Sequence, residues 1–166
     1  MDSKDVFKIV YDTRNFEISL FWQRSNYFLA LNTALAVGFF NLKEPTYILV
    51  LAILGVIAAV LWLAACLGSK FWQTRWERRL EILEQRYIQD GELPKELYLF
   101  SADSATLTAD VEAGLKIAER TGFQAFLYRL ALRKPSVSYC MILLAFSFVV
   151  AWLVVLTLSV VSGKPQ

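Results

Sequence analysis

Few of the side chains that usually carry enzyme chemistry occur in this sequence. It contains no histidine, and its two cysteines, Cys66 and Cys140, both lie in uncharged apolar runs. General base catalysis by histidine and a Cys/His nucleophile are therefore excluded. The sequence also lacks a glycine-rich phosphate loop and metal ligands at short spacing. We expect no metal, no cofactor and no disulfide, with both cysteines acting as small apolar side chains.

Carboxylates are the remaining candidates for catalysis. Asp103, Asp110 and Glu112 lie close enough in the sequence for a paired-carboxylate site to be conceivable. Acids and bases alternate throughout this part of the chain, however, and that alternation is typical of a solvated helix face. We therefore predict that the protein is not an enzyme. The net charge of +2 gives no indication of nucleic acid as a partner, and none is expected.

Long uncharged runs decide the class of protein. Hydrophobic residues make up 57% of the 166 residues and charged residues 19%, whereas soluble domains have about 45–50% and about 25%. The mean hydropathy of +0.45 agrees with this excess. Charged residues are absent from three runs, at 25–42 (18 residues), 45–69 (25 residues) and 135–163 (29 residues).

The lengths of these runs predict membrane-spanning helices. About 20 apolar residues in a helix cross the hydrocarbon core of a bilayer, so the runs at 45–69 and 135–163 are long enough. The run at 25–42 is marginal, and a hairpin half buried against the second run is its alternative. We favour a span because 16–22 extends the apolar character upstream.

The predicted fold is an all-α integral membrane protein with three transmembrane helices and a helical cytoplasmic block between the second and the third. Five segments follow along the sequence: a cytoplasmic amphipathic helix that runs into the membrane (1–24), a transmembrane hairpin (25–69, spans at about 25–42 and 46–68), a cytoplasmic helical domain (70–134), the third transmembrane helix (135–162) and a periplasmic tail (163–166).

The distribution of lysine and arginine predicts the orientation. Bases cluster at both ends of the block at 70–134 and precede the first span, whereas the opposite side has only Lys43 and Lys164. Positive charge favours the cytoplasmic side of a membrane. With three spans, the N-terminus and residues 70–134 therefore face the cytoplasm, and the C-terminus faces the periplasm.

Asn32 and Thr33 are the strongly polar pair near the middle of the first span. A buried amide in a membrane needs a hydrogen-bond partner or water. Asn32 either makes an interhelical hydrogen bond or lines a polar path through an assembly, and the sequence leaves both open. Charged residues are absent from the middle of all three spans, which argues against a proton-relay transporter and a voltage sensor.

Small residues recur every four positions in each span and favour close helix packing. The first span carries Ala30, Ala34 and Gly38. Gly55 and Ala59 repeat the pattern in the second span, and Ser147 and Ala151 repeat it in the third.

Polar residues also mark the entry to the first span. Glu17 and Arg24 are seven residues apart and therefore share a helix face, with Gln23 beside them. They form either a surface pair at the interface or, in the functional alternative, an inter-subunit contact or a polar ring at a pore mouth.

The block at 70–134 begins with a predicted amphipathic helix at about 71–89. Trp72, Trp76 and Tyr87 lie on its apolar stripe together with two leucines, and its acids, including Glu84, are assigned to the solvated side. Asp90-Gly91 is expected to end this helix. The apolar run 97–100 follows as a docking segment or isolated strand, and two further helices are predicted at about 107–120 and 123–133.

Two strings of residues resemble a known family. The stretch 11–25, which contains Phe16-Glu17-Ile18 and Leu20-Phe21-Trp22, and the stretch 133–138 before the last span both resemble RipA-like bacterial membrane proteins. The resemblance implies a bacterial inner-membrane protein that assembles as a homo-oligomer, described for the family as octameric. It implies no settled biochemical activity.

Two functions follow as expectations. The first is a homo-oligomeric membrane assembly that forms or gates a pore, with a role as a membrane-acting effector in phage defence suggested by a looser likeness. The alternative is a non-catalytic scaffold or anchor that recruits a cytoplasmic protein partner. The expected partners are thus the lipid bilayer, further copies of the chain and, for the scaffold, a cytoplasmic protein.

Overall fold

The computed structural model describes residues 3–92, 94, 99–116, 119–134 and 136–162. The predicted periplasmic tail at 163–166 lies outside these described residues, as do Leu97 and Tyr98 of the predicted docking segment. The described ranges contain helices and no strand, so the fold is all-α as predicted. The helices are α1 (Ser3–Asn41), α2 (Pro45–Gln89), α3 (Ser104–Leu115), α4 (Gly122–Ala131) and α5 (Val137–Ser162).

Two of the described helices, α2 and α5, are long and apolar enough to cross a membrane. They contain the predicted second and third spans. The predicted first span forms the second half of α1, and its membrane crossing remains a prediction.

The two longest helices begin and end where the sequence dictates. No proline or glycine interrupts the first 37 residues, and α1 is one helix of 39 residues. Proline is favoured in the first turn of a helix, and α2 begins at Pro45. At the other end of α2, Gly91 has a φ of 74°. Glu92 N–H donates to Tyr87 C=O and Gly91 N–H to Ile88 C=O, which is the Schellman arrangement.

The short helices differ from their predicted bounds. α3 begins three residues early because the Asp103 carboxylate accepts a hydrogen bond from the Thr106 N–H at 2.6 Å and caps the helix. It ends at Leu115, because Lys116 adopts a left-handed conformation with a φ of 48°. α4 covers ten residues, two fewer at its C-terminal end than predicted.

The chain forms two compact units. The apolar unit contains α1 from residue 13 onwards, α2 up to residue 74 and α5. The polar unit contains the start of α1 up to residue 12, α2 from residue 75 onwards, α3 and α4.

The core of the apolar unit is built from one face of α2. Buried positions on α2 recur at alternating spacings of three and four residues, which is the seam of closely packed neighbouring helices. The N-terminal part of this seam consists of small residues, so other helices approach it closely. Its members are Ala52, Gly55, Ala59, Trp62, Cys66, Ser69 and Gln73.

Candidate functional site

Asn32 forms the central polar contact of the apolar unit. Its side chain is fully buried. Its Oδ1 atom accepts a hydrogen bond from the indole Nε1–H of Trp152 at 3.0 Å, which links α1 to α5. Its Nδ2 group donates to the backbone carbonyl of Phe28 at 2.8 Å. Both ends of the amide are therefore satisfied within one chain.

The ring of Trp152 lies directly against α2 at Gly55. A Cβ atom at Gly55 would come within 3.0 Å of three atoms of the indole ring. On α1, Phe39 packs edge-on against the same ring, with 6.1 Å between ring centroids. Trp152 of α5 thus contacts Gly55 of α2 and both Asn32 and Phe39 of α1.

Replacing Asn32 with leucine is expected to destabilise the apolar unit by about 1–2 kcal/mol, because the substitution leaves a buried indole N–H unpaired. Equilibrium unfolding of the purified protein in mixed micelles, followed by tryptophan fluorescence, measures this change.

Thr33→Val is the matched control for this substitution. The Thr33 side chain is exposed, and its hydroxyl donates to Leu29 C=O of its own helix at 2.8 Å. Its replacement should alter the free energy of unfolding by less than about 0.5 kcal/mol. Equal losses for the two variants would contradict a special role for the Asn32–Trp152 bond.

A second polar group lies further along the same helices. The buried hydroxyl of Ser25 and the buried indole N–H of Trp62 have the thiol of Cys66 as their polar neighbour. Cys66 is a free cysteine inside the core, whereas Cys140 is free and exposed.

Polar contacts fix the register of the three helices of the apolar unit. Arg24 donates to the Ser69 hydroxyl at 3.5 Å, and Gly38 lies beside Leu51, which an added Cβ would meet at 3.2 Å. Between residues 24 and 38, α1 therefore runs antiparallel to the apolar part of α2. On α5, the Ser138 hydroxyl donates to Gln73 of α2 at 2.9 Å.

The opposite side of α1 carries an exposed stripe that we call the outer stripe. Its positions are spaced three or four residues apart, so they share one helix face. Five of its seven members are polar and one is alanine, and all seven are exposed. The outer stripe consists of Ser19, Gln23, Asn26, Ala30, Thr33, Val37 and Asn41.

The three uncharged runs contain only three side-chain amides, and all three lie on α1: Asn26, Asn32 and Asn41. Asn32 faces the core, whereas Asn26 and Asn41 belong to the outer stripe and lie near the two ends of the run at 25–42. The exposed surfaces of α2 and α5 are mainly aliphatic and aromatic. The outer stripe is therefore the most polar surface of the apolar unit.

The predicted small-residue faces have different environments. Gly55 and Ala59 are buried at the packing surface of α2. Gly38 is half-buried, whereas Ala30 and Ala34 are exposed on or beside the outer stripe. In α5, Ser147 and Ala151 are also exposed.

The predicted entry residues Glu17, Gln23 and Arg24 lie at the start of the apolar unit. Gln23 is exposed and belongs to the outer stripe, and Glu17 is half-buried. Arg24 is exposed, and its guanidinium group reaches Ser69 of α2.

The predicted aromatic stripe of α2 spans both units. Trp72 is exposed at the end of the apolar unit, and Trp76 is half-buried. Tyr87 is buried in the polar unit, where Phe7 of α1 packs edge-on against its ring with 5.9 Å between centroids. Phe7 also packs against Phe100, at 6.3 Å.

The sequence-based assignment of Glu84 to the solvated face of α2 is wrong, because its side chain is fully buried in the polar unit. Its Oε1 accepts a hydrogen bond from Leu99 N–H at 2.7 Å. Its Oε2 accepts from Phe100 N–H at 2.9 Å. The same oxygen accepts from the N–H and the hydroxyl of Ser101 at 2.7 and 2.6 Å.

The hydrogen bonds to Glu84 also set its ionisation. Burial raises the pKa of Glu84, but the Ser101 hydroxyl and three backbone N–H groups outweigh burial and hold this pKa below its ordinary value. Glu84 thus stays charged and fixes the described end of the predicted docking segment, Leu99 and Phe100, against α2.

Sequence reasoning missed both Glu84 and Trp152 as key residues. A usable signal existed for Glu84, because it continues the alternating spacing of three and four that joins Leu80 to Tyr87. For Trp152 the only signal was that its indole is the one side-chain N–H donor in the run at 135–163.

Comparison with known proteins identifies the family of the chain. The model of the Octameric membrane protein family (8xMP) matches residues 4–161. No match was found among curated proteins or among solved structures. The matched region includes all of α2, α3 and α4 and nearly all of α1 and α5.

Proposed function

Since the chain belongs to the octameric membrane protein family, we propose that it assembles as a homo-octameric ring in a bacterial inner membrane and forms or gates a pore along the axis of that ring. The resemblance of its N-terminal motif at 11–25 to RipA-like proteins supports, as part of this proposal, a place among those members. The outer stripe of α1 is the observation that carries the proposal.

The proposal includes three membrane spans in each copy. The contacts between Arg24 and Ser69 and between Gly38 and Leu51 support a shared depth for residues 25–42 and the apolar part of α2. A helix rises 1.5 Å per residue, so the 18 residues of this run cover about 27 Å, close to the thickness of the hydrocarbon core. Bases on the polar unit support a cytoplasmic location for it and a periplasmic C-terminus.

The outer stripe is unsuited to face lipid. Thr33 and Asn41 each donate one hydrogen bond to a backbone carbonyl of α1. Lipid offers no partner for the remaining polar atoms of the stripe, and such groups face protein or water in membrane proteins. Asn26 and Asn41 would lie near the two boundaries of the membrane, and Ala30, Thr33 and Val37 between them. A neighbouring copy or a water-filled axis would satisfy this surface.

The geometry of a ring of eight copies favours an opening along the ring axis that the protein does not fill. Eight α1 helices that touch side by side at about 10 Å spacing would lie about 13 Å from the ring axis. Because a helix with its side chains is about 10 Å wide, the ring would enclose an opening about 16 Å across. A polar lining would fill this opening with water, whereas an apolar lining would fill it with lipid.

The proposal includes no catalytic step. A pore that opens under control of the polar unit would dissipate ion gradients, which is the action expected of a membrane-acting effector in phage defence. If the axis is filled with lipid, the same ring is better described as a scaffold that presents eight polar units to a cytoplasmic partner.

Cysteine accessibility tests the pore. In a chain whose native cysteines are replaced by alanine, Ala34→Cys places a thiol beside the outer stripe at mid-membrane depth. A charged, membrane-impermeant thiol reagent should modify this residue in proteoliposomes and reduce ion flux by at least about fivefold, because ionised reagents do not partition into lipid.

Leu54→Cys is the matched control for Ala34→Cys. Leu54 is 45% exposed in the middle of the apolar part of α2, on a surface expected to face lipid. It should resist the same reagent. Equal protection of both thiols, with no flux from an intact octamer, would contradict a pore and favour the scaffold.

A further inference from the structure

α4 presents four large apolar side chains that no other part of the described chain covers. Phe123 is 74% exposed, Phe126 59%, Leu127 44% and Leu130 45%. They fall on one side of the helix because they occupy positions i, i+3, i+4 and i+7. The rings of Phe123 and Phe126 stack with 6.2 Å between their centroids. We call these four residues the apolar face of α4.

The other side of α4 already has its packing partners within the polar unit. Ala125 is buried and Tyr128 is half-buried. The guanidinium group of Arg120 lies over the ring of Tyr128, 5.6 Å from its centroid. α4 therefore packs against the polar unit with one side and leaves its more apolar side exposed.

Positive charge surrounds the apolar face of α4. Residues 119–134 contain four bases and one acid. Arg129 lies on α4 and Arg133 follows its last turn. Lys134 comes next, but its ammonium group donates to the carbonyl and the hydroxyl of Ser104. A helix with an apolar face bordered by arginine and lysine fits the surface of an anionic membrane, where the bases meet lipid phosphates.

Chain connectivity keeps the C-terminal end of α4 close to the start of the predicted third span. Five residues separate Ala131 at the end of α4 from Val137 at the start of α5. Even a fully extended connection covers only about 22 Å. The connection is shorter than that, because Arg133 N–H and Lys134 N–H bond back to Leu130 C=O and Ala131 C=O.

We propose that α4 is an interfacial helix that inserts its apolar face into the inner leaflet and binds anionic phospholipid headgroups through Arg129 and Arg133. This surface holds the polar unit against the membrane. It does not depend on the pore, since a scaffold would bind lipid through α4 in the same way.

Site-directed labelling of the full chain tests the proposal. Phe126→Cys and Leu130→Cys, each in the chain without native cysteines, carry an environment-sensitive fluorophore in vesicles of phosphatidylcholine and phosphatidylglycerol at about three to one. A nitroxide-labelled lipid should quench both fluorophores at least about threefold more than aqueous iodide does, because the apolar face lies below the headgroups.

Gln124→Cys, on the flank of the same helix, is the matched control and should be quenched mainly by iodide. In vesicles of phosphatidylcholine alone, or with Arg129→Gln and Arg133→Gln, lipid quenching at position 126 should fall by about half or more. Predominant quenching by iodide at positions 126 and 130 would show a solvated face and overturn the proposal. Protection from both quenchers would show a face covered by protein, such as a neighbouring copy, and would overturn it equally.

Discussion

Replacing Gly55 with alanine is expected to lower the free energy of unfolding of the apolar unit by about 3 kcal/mol, the upper end of the usual range for overpacking. The added methyl group would lie within 3.0 Å of the indole ring of Trp152. The ring has little room to move, because its Nε1–H is bonded to Asn32 and Phe39 packs against it. Equilibrium unfolding in mixed micelles, followed by tryptophan fluorescence, measures the loss.

Gly68→Ala provides the control within the same helix. A Cβ atom at Gly68 meets nothing within 4 Å, and alanine is a better helix former than glycine by about 1 kcal/mol in water. This variant should be as stable as the parent or slightly more stable. A Gly55→Ala variant within about 0.5 kcal/mol of Gly68→Ala would contradict the tight contact between α2 and Trp152.

The sequence was sufficient to predict the long helices, because their signals are local. The uncharged runs, Pro45 at the start of α2 and Gly91 just beyond its end determine these elements without reference to the rest of the chain. The end of α3 was predicted incorrectly for a physical reason. Lys116 adopts a positive φ that lysine rarely takes, so no residue preference indicated that the helix stops there.

The partner of Asn32 could not be predicted from the sequence. Polar residues lie on two sides of the second half of α1, with Ser25 and Asn32 on one side and Asn26 and Thr33 on the other. The helical spacing of these residues does not indicate which side of α1 packs against the core. Which side packs inwards depends on Trp152, which lies 120 residues away from Asn32 in the sequence. It also depends on Gly55, the small residue against which the Trp152 ring lies. In the proposed pore, the outer stripe rather than Asn32 would therefore line the axis.

Glu84 was assigned to the solvated side for a related reason. Its neighbours Glu77, Arg78 and Glu81 alternate in charge, and Arg78 and Glu81 do form a surface ion pair at 2.7 Å. The groups that bind Glu84 are mainly backbone N–H groups, 15 to 17 residues further along the chain. Backbone donors are present at almost every residue, so a sequence carries no sign of where they converge.

Glu84→Gln should release the segment at 99–101 from α2. Glutamine keeps the size of the side chain, but its NH2 group replaces an oxygen that accepts hydrogen bonds. The substitution also removes the negative charge that strengthens all four bonds. A loss of about 3 kcal/mol is expected, since single bonds to charged groups contribute about 1.5–3 kcal/mol. Amide hydrogen exchange at Leu99, Phe100 and Ser101 should accelerate by roughly a hundredfold.

Glu81→Gln is the matched control one turn earlier on α2. Its loss removes only a surface ion pair worth about 0.5 kcal/mol, so exchange at 99–101 should stay near the parent rate. Comparable acceleration in both variants would contradict the assigned role of Glu84.

The pH dependence of exchange gives a second, independent check on Glu84. A carboxyl group with a lowered pKa in the folded state contributes stability above its unfolded pKa, and this contribution is lost as pH falls through the folded pKa. Protection at 99–101 should therefore be constant above the ordinary pKa of about 4.5 and decrease only below it. Because glutamine does not titrate, the Glu84→Gln variant should lack this decrease, and a parent-like decrease would assign the acid sensitivity to another carboxyl group.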